Sequence, residues 1–148
     1  MLLPERKGCG RIVENGKSFY EMMDLNLGKC DFALATQKGV DFYDGFNTKR
    51  IATKYPNITK AYFEGKGMDI KIIKIEGSVE LAPLLNLADG IVDIVETGTT
   101  LKENDLLPFE TVVPISARLV SNKVSYKFKN SEITEICEKI AEVLASKK

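Results

Sequence analysis

One short segment limits what this chain can fold into more than any other. The apolar, mostly β-branched run Ile91–Val95 lies between Gly90 and Gly98, which is typical of a short strand buried on both faces. The chain then turns and shows a helix start at Thr99 or Thr100. A buried strand that leads through a tight turn into a helix is the building unit of α/β proteins.

The rest of the chain alternates strand-like and helix-like segments in the same way. Strands are predicted at Asp31–Thr36, Arg50–Thr53, Ile70–Ile75 and Ile91–Val95, with a further extended stretch at Val112–Val120 that Pro114 interrupts. Helices are predicted at Ile58–Glu64 after Pro56, at Val79–Leu87 with Ser78 as N-cap, and at Glu132–Leu144, while Lys38–Asn47 is predicted to be a loop. Strands separated by helices predict an α/β fold with a largely parallel sheet.

Composition excludes several kinds of chemistry. The 148 residues include no histidine, so Ser-His and Cys-His pairs, His-ligated zinc and an imidazole base are ruled out. The 21 basic and 21 acidic residues give no net charge, whereas a nucleic-acid-binding protein usually shows a basic excess. Chemistry must therefore use carboxylates, hydroxyls, lysine, arginine, main-chain amides or a bound metal ion.

The cysteine pattern and the apolar runs predict a cytoplasmic protein. Cys9, Cys30 and Cys137 are an odd number without a C-x-x-C pair, which indicates unpaired thiols in a reducing compartment. No run approaches the roughly 18–20 apolar residues of a membrane span, and the first residues lack the apolar core of a signal peptide. We therefore predict neither a nucleic-acid partner nor a membrane partner.

The segment Ile91–Leu101 combines features that suit a phosphate group. Asp93 and Glu96 lie at the end of the strand, and Gly98 permits a tight turn with positive φ. The helix start offers main-chain N–H groups, and the threonines beside Gly98 add hydroxyl donors. The segment suits a cradle for a ribose 5-phosphate, but an ordinary threonine-capped helix with solvated acids fits the same spacing equally well.

A family resemblance favours the phosphate cradle. The stretch Glu80–Leu101 resembles the signature of the ATP phosphoribosyltransferases, the first enzymes of histidine biosynthesis. The matching positions are Glu80, Ala88, Ile91, Asp93, Ile94, Thr97, Gly98, Thr100 and Leu101. Similar motifs flank it in order at Asp24–Cys30, Arg50–Tyr55, Gly77–Glu80 and Ile115–Asn122. Where the family usually has glycine this chain has Asn86, which also tolerates left-handed backbone.

The resemblance implies a transferase that joins N1 of the ATP adenine to C1 of phosphoribosyl pyrophosphate (PRPP), with Mg²⁺, and releases pyrophosphate. It implies a lobe like those of type II periplasmic binding proteins, with a mainly parallel sheet flanked by helices. The PRPP-binding residues would be Glu80, Asp93, Glu96, Thr97, Gly98, Thr99, Thr100 and Leu101. Asp93 and Glu80 would also lie beside the Mg²⁺ carried by PRPP, and no catalytic residue is assigned.

The resemblance also predicts how the chain is divided. Residues 1–29 would be a remnant of the first lobe, residues 30–122 the second, phosphoribosyl-binding lobe, and residues 123–148 a return segment and C-terminal helix of the first lobe. Residues 1–17 show no opening strand with a basic turn, so most of the first lobe is expected to be absent and the polypeptide alone to be inactive. Steady pyrophosphate release from ATP and PRPP would contradict this.

The C-terminal region predicts partners. The chain resembles the short form of the family, which works with a regulatory subunit similar to histidyl-tRNA synthetase; a long-form protein shortened at both ends is the alternative. An apolar stripe on the last helix would be exposed without a complete first lobe, which favours a homo-oligomer. The stripe consists of Ile133, Ile136, Ile140 and Val143.

Two other functions stay open at this stage. A purine or pyrimidine salvage phosphoribosyltransferase also places acids before a Thr-Gly-x-Thr turn, but those acids are usually adjacent, whereas Asp93 and Glu96 are not. A module of the periplasmic-binding type that captures a phosphorylated or anionic ligand without catalysis is the other.

Overall fold

The structure is a computed structural model that describes residues 19–147. The strands in this range are β1 (Phe19–Asp24), β2 (Cys30–Gln37), β3 (Lys49–Thr53), β4 (Ile70–Lys74), β5 (Gly90–Val95), β6 (Leu106–Ile115) and β7 (Arg118–Asn122). The helices in the same range are α1 (Pro56–Gly65), α2 (Leu81–Leu84), α3 (Thr99–Glu103), α4 (Lys123–Phe128) and α5 (Asn130–Ser146). Cys9, predicted as a free thiol, lies outside the described residues.

Five strands form the main sheet, in the order β4-β3-β5-β2-β6. β3 pairs in parallel with β4 and β5, whereas β2 pairs antiparallel with β5 and β6. The α/β lobe is confirmed, but the sheet is mixed rather than mainly parallel. The reason is that β2 enters the sheet at the edge where the other four strands end, so it runs against its neighbours.

Each face of the main sheet has its own core, because side chains alternate along β2. Phe32 and Leu34 point to one face, where α1 and the loop residue Phe42 cover them. Ala35 points to the other face, which α2 and α3 cover. The residues buried on that second face are Ala35, Ala52, Val79, Ala82, Ala88, Ile91, Leu101 and Leu106.

Most elements agree with the expected ones to within two residues at each end, but two segments were predicted wrongly. The helix expected at Val79–Leu87 is the single turn α2, whose N-cap position is Glu80 rather than Ser78 and carries no side-chain cap. The extended stretch at Val112–Val120 is interrupted at residues 116–117 rather than at Pro114, which lies within β6; β7, which belongs to the other sheet, begins after this interruption.

Asn86 explains why α2 is short. Its φ is 57°, the left-handed conformation that asparagine was expected to tolerate at this position. The N–H of Leu87 donates to the carbonyl of Ala82 at 2.9 Å, and the N–H of Asn86 donates to the carbonyl of Pro83 at 3.1 Å. These two bonds are the pattern of a Schellman C-cap, so the helix ends here although the apolar pattern continues.

A second, smaller unit lies beside the main sheet. β1 and β7 pair antiparallel in a two-stranded sheet, and α4 packs against both strands. α5 buries none of its side chains among the described residues, and Ile136 and Val143 are each 52% exposed. Two of the four residues of the apolar stripe are therefore exposed, whereas Ile133 and Ile140 are half-buried; the oligomer and the predicted lobe boundaries stay predictions.

Two crossing segments connect this unit to the main sheet, at residues 25–29 and 116–117. They are hydrogen-bonded to each other: the N–H of Leu25 donates to the carbonyl of Ala117 at 3.0 Å, and the N–H of Ala117 donates to the carbonyl of Leu27 at 2.9 Å. Because both segments meet the main sheet at the edge where β5 ends, that edge faces the second unit.

Charged groups strengthen this crossing. The guanidinium of Arg118 lies 3.1 Å from a carboxylate oxygen of Glu21 and 3.3 Å from one of Asp24, and the side chain is only 13% exposed. The hydroxyl of Ser116 donates to Asp24 at 2.9 Å. Burial alone would raise the pKa of Asp24, but the hydrogen bonds from Asn26 and Ser116 and the charge of Arg118 hold this pKa below its usual value.

No helix within residues 19–147 has the length and apolar character needed to cross a membrane.

Candidate functional site

The predicted site residues meet at the carboxyl end of β5, the central strand of the main sheet. A cleft of about 290 Å³ opens there, lined by Glu80, Asp93, Ile94, Val95, Glu96, Thr97, Gly98, Thr99, Thr100 and Leu101. The structure thus brings all eight of the predicted PRPP-binding residues to one cleft. In α/β sheets, ligands bind in crevices at the carboxyl ends of the strands.

The turn between β5 and α3 depends on Gly98. Its φ is 77° and its ψ is 5°, in the left-handed region. A Cβ added there would meet only a methyl group of Val95 at 3.9 Å, so glycine is required by the backbone conformation and not by space. The hydroxyls of Thr97 and Thr99 lie 3.0 Å apart across the turn. The turn therefore presents hydroxyl groups together on its exposed side.

α3 is too short to act through its dipole. It has five residues, held by burial of Leu101 and by the side-chain amide of Asn104, which donates to the carbonyl of Thr100 at 2.9 Å. A macrodipole needs many aligned peptide units, so the expected contribution of the helix end is small. The available donors are the hydroxyls and main-chain amides of the turn.

Two carboxylates share the other side of the cleft. Asp93 is half-buried near the end of β5, and Glu80 is half-buried where α2 begins. Burial raises the pKa of Asp93, and the negative charge of Glu80 raises it further; a hydrogen bond from the N–H of Ile94 at 2.9 Å and the charge of Lys54 act against this. A cation bound beside Asp93 would therefore stabilise the negative charge of its carboxylate.

These carboxylates fit a metal ion that arrives with a ligand. Mg²⁺ keeps several waters and is usually bound by one or two carboxylates together with substrate phosphates. In the described range, no group of three or more potential metal-ligating side chains that could hold an ion is found. Asp93 and Glu80 thus suit a shared Mg²⁺ better than one held by the protein alone.

Asp93→Asn should raise the free energy of unfolding at pH 7 by about 0.5–2 kcal/mol. An acid whose pKa is raised by folding destabilises the fold above that pKa, and the cost disappears as the pH falls to the unfolded value. Urea unfolding of both proteins should show the difference at pH 7 and little of it below pH 3.8, the ordinary value for Asp. An unchanged or lower stability of the variant at pH 7 would contradict the proposed cost of Asp93.

The structure adds one residue that sequence reasoning missed. Lys54 directly follows β3, the parallel neighbour of β5, and its charge acts on Asp93. The signal that could have identified it is the motif Arg50–Tyr55, which contains Lys54 and belongs to the family resemblance.

A second polar cluster, centred on Glu110 of β6, is structural. Its carboxylate accepts hydrogen bonds from the hydroxyls of Tyr43 and Tyr62 and from the ammonium of Lys66. Burial and the bond to Glu110 raise the pKa of Tyr62 to about 12. Because these groups satisfy one another, the cluster ties the loop after β2 and the end of α1 to β6.

The fold indicates the structural class to which the protein belongs. An α/β lobe joined to a second unit by two crossing segments is the architecture of periplasmic-binding-protein-like folds. Holo ArgBP from T. maritima shares this fold, with a TM-score of 0.57 and 18% identity over 86% of this chain and 56% of that chain.

The sequence defines the family. A family profile described as ATP phosphoribosyltransferase matches residues 8–142, and this chain belongs to that family. The ATP phosphoribosyltransferase of Clostridium novyi (strain NT) is 55% identical over 137 residues, which is 93% of this chain and 65% of the relative. That of Clostridium acetobutylicum is 56% identical over 133 residues, 90% of this chain and 62% of the relative. The chain thus spans less than two thirds of the length of these relatives.

A solved structure agrees with this assignment. The ATP phosphoribosyl transferase (HisG:HisZ) complex from Thermotoga maritima is similar with a TM-score of 0.80 and 40% identity, over 93% of this chain and 67% of that chain. The similarity in sequence and structure thus covers the main sheet and its cleft.

Proposed function

We propose that this chain provides the phosphoribosyl-binding lobe of an ATP phosphoribosyltransferase. The reaction condenses ATP with PRPP to give N1-(5-phosphoribosyl)-ATP and pyrophosphate, the first step of histidine biosynthesis. The observation that supports this best is that the eight predicted PRPP-binding residues, six of which match the family pattern, line one cleft at the end of β5. The proposal takes residues 30–122 as this lobe, although β7 (Arg118–Asn122) pairs with β1 in the second unit, and parts of the first lobe flank it.

Each side of the cleft has a part in this proposal. The turn at residues 97–100 holds the 5-phosphate through hydroxyls and main-chain amides. Asp93 and Glu80 face the ribose hydroxyls and the Mg²⁺ that accompanies PRPP, and Glu96 borders the turn. Bound to the diphosphate, Mg²⁺ neutralises charge on the leaving group.

Such a reaction is compatible with a chain that has no histidine. Pyrophosphate departs without needing a proton from an imidazole, and the developing positive charge at the sugar ring is stabilised by nearby carboxylates. The protein contributes mainly by placing C1 of the ribose in line with the attacking nitrogen. No catalytic base is assigned among the residues of the cleft.

The proposal also covers the binding partners of the chain and its location in the cell. The name of the T. maritima structure pairs HisG with HisZ, and we propose a regulatory subunit similar to histidyl-tRNA synthetase for this chain too. The exposed stripe of α5 suits contacts within a homo-oligomer. A cytoplasmic location suits Cys30 and Cys137, neither of which forms a disulfide.

A thermal-shift titration tests the function. Mg²⁺–PRPP should raise the melting temperature of the chain more than equal concentrations of Mg²⁺ with inorganic phosphate, because only PRPP also engages Asp93 and Glu80. An equal response to both would favour an anion-binding module of the periplasmic type. The family match leaves the salvage phosphoribosyltransferase without support.

A further inference from the structure

Lys54 occupies a defined position next to the cleft. It follows Thr53, the last residue of β3, and Thr53 is paired with Val92 of β5. The next residue of β5 is Asp93, so Lys54 and Asp93 lie side by side at the carboxyl ends of two parallel strands. Parallel neighbours are about 4.8 Å apart, which brings the lysine within reach of a ligand held over Asp93.

The main chain at Lys54 is held on both sides. The hydroxyl of Thr53 donates to the carbonyl of Val92 at 2.7 Å, and the N–H of Tyr55 donates back to that hydroxyl at 2.9 Å. The ring of Tyr55 packs edge-on against Phe32 with centroids 4.7 Å apart. The backbone is thus pinned while the side chain of Lys54 is exposed.

The charges of the cleft are unbalanced without Lys54. In the described part of the chain, the lining residues include three carboxylates, those of Glu80, Asp93 and Glu96, and no lysine or arginine. A ligand with several phosphates would be repelled by this lining unless cations offset it. Within residues 19–147 no carboxylate lies within 4 Å of the ammonium of Lys54, whereas Lys74, at the same end of β4, is paired with Glu76 at 3.3 Å.

The order of groups along the sheet indicates which phosphate Lys54 meets. The threonine turn leads from β5 into α3, which packs against β6, whereas β3 lies on the opposite side of β5 from β6. Passing along the edge, one therefore meets the turn, then Asp93, then Lys54. PRPP has the same order, with the 5-phosphate at one end, the ribose in the middle and the diphosphate on C1.

We propose that the ammonium of Lys54 binds the diphosphate of PRPP, on the side of Asp93 opposite to the threonine turn. The inference rests on the proposed function and deepens it, because it separates the two ends of the substrate. In the complex the lysine offsets charge on the group that becomes pyrophosphate, while the turn holds the sugar phosphate.

Isothermal titration calorimetry of the full chain tests this with two ligands, Mg²⁺–PRPP and ribose 5-phosphate. Lys54→Met should weaken binding of Mg²⁺–PRPP about tenfold, the usual loss for one charge-assisted contact, and change that of ribose 5-phosphate less than about twofold. Lys54→Arg should restore most of the PRPP affinity. The matched control is Lys74→Met, on the adjacent strand, which should leave both affinities unchanged.

The outcomes separate the two proposals. Unchanged PRPP affinity in Lys54→Met, or an equal loss for both ligands, would overturn the role of Lys54 and leave the proposed function standing. If the unmodified chain binds Mg²⁺–PRPP no better than Mg²⁺ with phosphate, the proposed function fails and this inference fails with it. Because Lys54 is exposed, the variants should melt within a degree or two of the original chain.

Discussion

Gly98→Val should weaken the binding of Mg²⁺–PRPP by about thirtyfold, because valine is strained by roughly 1–3 kcal/mol in the left-handed region and the turn must rearrange to relieve it. The φ of 77° at Gly98 orients the hydroxyls of Thr97 and Thr99 on one side of the turn. Calorimetric titration of the variant beside the original chain measures the loss.

Gly98→Asn is the matched control for this prediction. Asparagine tolerates the left-handed region, and the space around Gly98 is open, with the nearest atom 3.9 Å from an added Cβ. The asparagine variant should therefore keep binding within about fivefold. Equal losses in both variants would indicate that the added side chain blocks the ligand and that the backbone conformation is not the cause.

Arg118→Met should destabilise the β1–β7 unit by about 1–3 kcal/mol, less than the loss for a fully buried ion pair because Asp24 is 38% exposed. Its guanidinium is 13% exposed and satisfies Glu21 and Asp24 together. The loss of the cation would also raise the pKa of Asp24, so the destabilisation should lessen at acidic pH, where Asp24 becomes neutral. Urea unfolding at pH 7 measures the change.

Lys60→Met is the control for the arginine variant. Lys60 pairs with Glu64 at 3.9 Å on the surface of α1, and both side chains are more than 60% exposed. Removing such a pair should change stability by less than about 0.5 kcal/mol. A loss below about 1 kcal/mol in Arg118→Met would show that the crossing does not depend on this ion pair.

Local patterns were sufficient to predict most single elements. The β-branched run of β5, the apolar run of β2 and the apolar stripe of α5 are signals that lie within the elements themselves, and the structure confirms all three elements. The length of α2 was not predictable in this way, because the left-handed Asn86 ends the helix before the apolar pattern ends.

Relations between distant segments were harder to predict. The residues of β2 do not indicate its direction, because a buried strand has the same apolar run whether it is parallel or antiparallel to its neighbours. Its direction is set by residues 25–29, which enter the main sheet from the second unit at the edge where β5 ends. The candidate site was predictable because the acids, the glycine and the threonines are consecutive in sequence. Lys54 was missed because it comes from the neighbouring strand and meets Asp93 only in the folded sheet.

The way β1 and β7 pair has a consequence for the order of folding. Every strand of the main sheet comes from residues 30–115, whereas the small sheet joins Phe19 to Asn122. A two-stranded sheet is marginally stable by itself, and Ser121 is the one buried residue of β1 and β7, whereas both faces of the main sheet carry a buried core. The main sheet should therefore assemble first, and the β1–β7 pair should form last and open first, so its amide hydrogens should exchange with solvent well before those of β5.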